Sequence, residues 1–237
     1  MRCDVWWARP AAATPRLLAM LDDIERERYD RYRMEVDRLR FLTGRTLIRT
    51  IAGRRLGLEP EKVVLDSSCY DCGKPHGKPR VVADGAPEVS ISHSGSLVAL
   101  AVVDGPPVGV DVEEIRDAEV DGLAKIAFSP DERAEFAALL PAARRSAFFR
   151  YWARKEAVVK ATGKGMSIVM STFSLSPFDE PPRVVASDSP EVDPTRVHMA
   201  DLAAGDGYRA SVAVIGDAPP AGWVTEHDAD AVIAALG

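Results

Sequence analysis

The chain has 237 residues, is 46% hydrophobic and 28% charged, and carries a net charge of -6 at pH 7. That length and balance suit one large or two small globular domains, and the acidic surplus argues against a general nucleic-acid binder. No apolar run reaches the length of a membrane span, the N-terminus lacks the apolar core of a signal peptide, and three cysteines, an odd count, suit a reducing cytoplasm.

Residues 3–8 read as a first strand. Thr14-Pro15 then opens a helix carrying Leu17, Leu18, Leu21 and Ile24, with Thr14 as N-cap. Residues 25–40 are dense in charge and read mostly as a solvated helical surface. Residues 36–56 form a long helix with Leu42, Ile48, Ile51 and Ala52 inward. On it Arg38, Arg45 and Arg49 fall in one stripe. A row of guanidinium groups is a natural phosphate receiver.

Next comes Cys69-Tyr70-Asp71-Cys72, with His76 close behind. A structural zinc takes four ligands, often from two such cysteine pairs, and Cys3 is the sole other cysteine. The segment is therefore not expected to be an obligatory zinc site. Gly77-Lys78-Pro79 offers a lysine in a rigid, exposed turn. Residues 88–103 read as a hairpin that turns at Ser94-Gly95-Ser96. A turn histidine is usually surface, but His93 has Ser92 and Ser94 beside it and can also donate to a phosphate oxygen.

Asp104-Gly105-Pro106-Pro107 is a turn, and it divides the chain into halves of residues 1–107 and 108–237. The second half opens with Val108-Gly109-Val110-Asp111-Val112-Glu113. Alternation puts the valines on one strand face and Asp111 and Glu113 on the other. Two carboxylates so placed repel each other unless a cation, a lysine or open water intervenes. Oxygen donors at this spacing suit Mg2+. Further on, Ser129 and Glu132 form a capping box around Pro130. Residues 152–165 read as a helix run ended by glycine, with Phe148, Trp152 and Val159 on its apolar face. Glu156 and Lys160 lie one turn apart. Glu156 becomes a third carboxylate if this helix packs beside the acidic strand. Strands follow at residues 171–175, 183–186, 197–202 and 208–215, and the tail ends in a helical pattern around Val232, Ile233 and Leu236.

Gly109-Val110-Asp111-Val112-Glu113, followed by Trp152-Ala153-Arg154-Lys155-Glu156-Ala157-Val158-Val159-Lys160, resembles the paired signature of the 4'-phosphopantetheinyl transferases, in their long, Sfp-type branch. Gly77-Lys78-Pro79 and Ile91-Ser92-His93-Ser94 are also similar to that family, so the resemblance covers residues 25–175. It implies an α+β fold of two pseudo-symmetric halves. Each half would be a small, largely antiparallel sheet with helices on one face, and coenzyme A would lie in a cleft between them. It also implies a holo-[acyl-carrier-protein] synthase activity. In that reaction 4'-phosphopantetheine passes from coenzyme A to a serine of an apo acyl or peptidyl carrier protein, and adenosine 3',5'-bisphosphate leaves. The carriers would be those of fatty-acid, polyketide or nonribosomal peptide synthesis.

The resemblance assigns roles residue by residue. Asp111, Glu113 and Glu156 hold Mg2+, with Mn2+ as an alternative ion. Arg38, Arg45, Lys78, Ser92 and His93 contact coenzyme A, and Lys155 and Lys160 meet its phosphates. Glu156, Glu132 or a metal-held water takes the serine proton. The expected protein is a cytoplasmic monomer without nucleic-acid or membrane partners. Two other classes stay open. A Mg2+-dependent enzyme acting on another diphosphate or nucleotide would turn over without a carrier. A non-catalytic binding module would more naturally lack one of the three carboxylates, and here all three are present.

Overall fold

The structure, a computed structural model, describes residues 1–236. It is α+β, and its chain divides into two units: residues 1–105 together with the tail from Gly222, and Pro106–Ala221.

The first unit starts with β1 (Cys3–Ala8) and α1 (Pro15–Ala19). The Thr14 hydroxyl caps α1 by accepting the Leu17 N–H at 3.2 Å. The helix expected to run on through Ile24 stops early. Asp22 caps a new helix, α2 (Asp23–Arg31): its carboxylate accepts the Glu25 N–H at 2.8 Å, and the Glu25 carboxylate accepts the Asp22 N–H at 3.2 Å. A reciprocal cap of this kind satisfies two donors that a continuous helix would not need satisfied there. Ile24 is consequently left exposed.

The 22-residue α3 (Glu35–Leu56) ends where Gly57 turns to φ 67°. Short strands β2 (Leu65–Asp66) and β3 (Arg80–Val81) pair with each other, and β4 (Glu88–Ser94) and β5 (Leu97–Val103) form the expected hairpin. Leu47, Ile48, Ile51 and Ala52 of α3 pack in one core with Val89, Leu100 and Val102.

The second unit contains β6 (Val108–Glu114), α4 (Val120–Ala127), α5 (Pro130–Ala138), α6 (Pro141–Thr162), β7 (Phe173–Leu175), β8 (Val184–Ser187), β9 (Val197–Asp201) and β10 (Tyr208–Ile215). Its main sheet is antiparallel in the order β6-β10-β9, and β7 pairs with β8. The expected Ser129–Glu132 capping box opens α5. The 22-residue α6 ends at Gly163, φ 71°. An aromatic cluster of Phe128, Phe136, Phe148 and Tyr151 fills the core beneath it.

The tail returns to the first unit. β11 (Val224–Asp228) pairs in parallel with β1, starting at Cys3 opposite Val224, and α7 (Asp230–Ala234) follows. The first sheet is therefore ordered β11-β1-β5-β4. The sequence places this tail with the second half, since a strand of five residues carries no sign of its partner. Among the described residues, no helix is long and apolar enough to cross a membrane.

Candidate active site

Three features of the sequence bring the acidic residues of the second unit together. Alternation along β6 sends Gly109, Asp111 and Glu113 to the same face. Gly109 lets α6 lie directly on that face: a Cβ there would sit 2.0 Å from the Ala157 carbonyl oxygen and 2.4 Å from the Ala161 nitrogen. The i,i+4 spacing of Glu156 and Lys160 then places both side chains above the strand.

Lys160 Nζ donates to Asp111 Oδ1 at 2.7 Å, and Asp111 is only 3% exposed. Burial and the charge of Asp111 push the half-buried Glu156 carboxyl up to about 7, with Glu113 adding to the effect and Lys160 opposing it. Glu156 thus feels both Asp111 and Glu113, with the Lys160 ammonium beside them. Such a donor set, all oxygen and net negative, fits a hard divalent cation and Mg2+ in particular. The carboxylates are neighbours and no more than that. Among the described residues, only Cys69, Cys72 and His76 bring three such ligand atoms within 4.8 Å of one another.

Lys155 and Glu132 part company with the other predicted site residues. Lys155 is fully buried. Its ammonium donates to the Met170 carbonyl at 2.8 Å and the Phe173 carbonyl at 2.6 Å, and pairs with Glu132 Oε2 at 2.9 Å. Glu132, 2% exposed, also accepts the Ser129 N–H at 2.7 Å and the Leu175 N–H at 2.8 Å. Burial pulls the Lys155 ammonium below its ordinary value while Glu132 holds it up. Three donor hydrogens meet three acceptors, so nothing is left over for a phosphate. The catalytic and cofactor-binding roles expected of Lys155, and the role of base expected of Glu132, give way to a structural one: the pair ties α6 to α5 and to the start of β7.

The sequence held the signal for this. Phe148, Trp152, Lys155 and Val159 follow one another at four- and three-residue steps, so Lys155 belongs to the apolar stripe itself. Arg154 was missed in the same way. It is 1% exposed and grips Asp201 with two nitrogens, at 3.0 and 2.7 Å.

In the first unit, the arginine stripe is partly engaged by an acid that the charge pattern had hidden. Glu25, buried, takes Arg45 Nε at 3.0 Å and Arg49 Nη2 at 2.8 Å. Burial pulls Arg45 down to about 10, Glu25 works against that, and Arg28 and Arg49 add to it. Arg28 and Arg45 both lie over the Phe41 ring, at 5.3 and 5.0 Å. Arg38 Nε donates to the Tyr32 carbonyl at 2.8 Å. Lys78 is held below its ordinary value by burial, with Glu88 Oε2 at 3.7 Å opposing. Ser92 is buried in β4 and His93 is exposed beside it.

Known proteins match both units. Residues 107–213 match the 4'-phosphopantetheinyl transferase superfamily, and residues 6–104 match the N-terminal region of 4'-phosphopantetheinyl transferases. A 4'-phosphopantetheinyl transferase of Bacillus subtilis is 33% identical over 178 residues, 74% of this chain and 76% of that one. The phosphopantetheinyl transferase of Thraustochytrium is 31% identical over 234 residues, 90% of this chain and 78% of the relative. HetI of Nostoc, a 4'-phosphopantetheinyl transferase, is 35% identical over 67% of this chain and 66% of its own. A holo-[acyl-carrier-protein] synthase structure from Thermotoga maritima aligns over 48% of this chain and 66% of its own, with TM-score 0.41 and 19% identity, a likeness too distant to carry weight. With both units matched and relatives this similar over three quarters of their length, the chain belongs to the 4'-phosphopantetheinyl transferase superfamily, in its two-unit, Sfp-type form.

Proposed function

We propose that this chain transfers the 4'-phosphopantetheine group from coenzyme A to a serine of apo acyl or peptidyl carrier proteins, in a Mg2+-dependent reaction that releases adenosine 3',5'-bisphosphate. The observation that supports it is the meeting of Asp111, Glu113 and Glu156 with Lys160 in a chain of this family. In the reaction the serine oxygen bonds to the β-phosphorus of the pyrophosphate, and the bridging P–O bond breaks. The electron pair departs on the 5'-phosphate of the adenosine bisphosphate. Asp111, Glu113 and Glu156 would hold Mg2+, which would supply Lewis-acid neutralisation of the phosphate oxygens.

The residues of the chain do the rest. Lys160 is the cation of α6 that serves the pyrophosphate, because Lys155 is committed to Glu132. With Glu132 withdrawn into the interior, Glu156 or a water accepts the serine proton. In the first unit, Arg28, Arg45 and Arg49 outnumber Glu25 and Asp22, and that surplus of positive charge suits an anionic phosphate even with the ion pairs in place. Arg38, Lys78, Ser92 and His93 complete the proposed contacts to coenzyme A.

The test is to incubate the protein with coenzyme A, Mg2+ and several apo carrier proteins, and to weigh the carriers by mass spectrometry. Each true substrate gains one phosphopantetheine. Asp111→Ala gives none while its circular dichroism stays that of the wild type. Consumption of coenzyme A without any carrier would sink the proposal in favour of a different diphosphate-cleaving enzyme.

A further inference from the structure

Residues 67–77, between β2 and Lys78, have no part in the chemistry above, yet they are built with unusual order for a surface loop. The Gly77 N–H donates to the Ser67 carbonyl at 2.7 Å and the Cys69 N–H to the Lys74 carbonyl at 2.8 Å, so the loop closes on itself above the Asp66–Arg80 pair. Inside it the Gly73 N–H donates to the Cys69 carbonyl at 2.9 Å. Gly73 stands at φ 68°, the left-handed conformation with which the chain leaves this turn. His76 then swings back until its Nε2 lies 3.1 Å from the Cys72 sulfur. The ligand atoms of Cys69, Cys72 and His76 all lie within 4.8 Å of one another.

From this geometry we propose that Cys69, Cys72 and His76 form a binding site for a zinc-class transition-metal ion, which clips the loop leading into Lys78. Bonds of about 2.3 Å to sulfur and about 2.0–2.1 Å to nitrogen make tetrahedral edges of roughly 3.6 Å, within the spacing already present. Two thiolates and an imidazole are the soft and borderline donors that such ions prefer, unlike the all-carboxylate set on β6 and α6. Binding releases the thiol protons to solvent and replaces the Cys72–His76 contact, with the imidazole proton on Nδ1. The fourth position is left to water.

The site is a clip and not a foundation. The loop lies outside the core formed by α3, β4 and β5, so the unit folds without the metal, in keeping with the missing fourth protein ligand. What the ion fixes is the course of the chain from Cys69 to Gly77, one residue before Lys78. Gly77 permits that course, since a Cβ there would fall 2.5 Å from the Ser68 carbonyl oxygen.

The test is to titrate the reduced, metal-free full chain with Co2+ alone and to follow sulfur-to-cobalt charge-transfer absorption. The expected result is one cobalt per chain with that absorption, displaced by added zinc. Cys72→Ser and His76→Ala, with unchanged circular dichroism, should weaken this binding by at least about tenfold. Asp111→Ala should leave the sulfur absorption intact, which separates this site from the carboxylates and from the proposed transfer activity. No charge-transfer absorption in fully reduced wild type would overturn the proposal. Undiminished absorption in Cys72→Ser would do the same.

Discussion

A lysine and a glutamate that look reactive in the sequence can be the least reactive groups of a fold, and Lys155 with Glu132 is such a pair. Removing one partner of a buried pair strands the other charge, at a cost of about 3–5 kcal/mol. Glu132→Ala should therefore lower the unfolding free energy obtained from urea denaturation by that much, and its loss of transfer should follow its loss of structure. If Glu132→Ala abolishes transfer with that free energy unmoved, the structural assignment fails. Glu156 gives the opposite pattern. Its folded value of about 7 lies above its ordinary 4.5, so the folded state holds the proton more tightly across that window. The stability that comes with the proton is complete below 4.5 and lost as pH rises through 7. In metal-free protein, Glu156→Gln should thus be more stable than wild type at pH 8, on the order of 1 kcal/mol for a partly solvated group, and the gap should close near pH 5. Mg2+ should narrow the gap at pH 8, because it binds the folded state of wild type better. Equal pH profiles for the two proteins would show that the three carboxylates do not interact.

The contact between α6 and β6 is where an element, more than any residue, makes the site. Helix and strand meet at Gly109 so closely that a methyl group would collide with the backbone of Ala157 and Ala161. Backbone cannot step aside as a side chain can, so Gly109→Ala should cost at least about 1–3 kcal/mol. It should also part Lys160 from Asp111 and weaken Mg2+ binding, measured by calorimetry. Gly207→Ala, where an added methyl group meets nothing within 4 Å, is the control. Equal Mg2+ affinity in Gly109→Ala and wild type would break the link between helix approach and metal site. Elements of this kind were legible in the sequence when their periodicity was long. β1, β10 and the glycine stop of α6 stand where alternation and Gly163 put them. So do Asp111 and Glu156, because a strand period and a helix period fix faces. The rest was hidden for physical reasons. Asp22 breaks the first helix through a side-chain bond that hydrophobic spacing does not register. Glu25 is buried by its two arginine partners, which lie on another helix. β2 and β3 are two residues each, too short for any period to show.

On the scale of the whole molecule, the first unit is written in two pieces and the second in one. β11 covers one edge of β1 by parallel pairing, and Ile233 of α7 joins the core of α3 and β5. Deleting residues 222–236 should therefore destabilise the first unit selectively. Hydrogen exchange in β1 and β5 should quicken while β10 keeps its protection. Uniform loss of protection in both units would refute that. The parallel return of β11 also sets a timetable for synthesis. The ribosome makes β11 only after the whole second unit that separates it from β1, so β1 must wait with one side open until that unit has emerged. The contiguous second unit, in contrast, has all its strands once Ile215 has emerged. Domains generally fold as units during synthesis, and here the order should follow contiguity: the unit that carries Asp111 and Glu156 gains protease resistance on stalled ribosomes before the unit that carries β1.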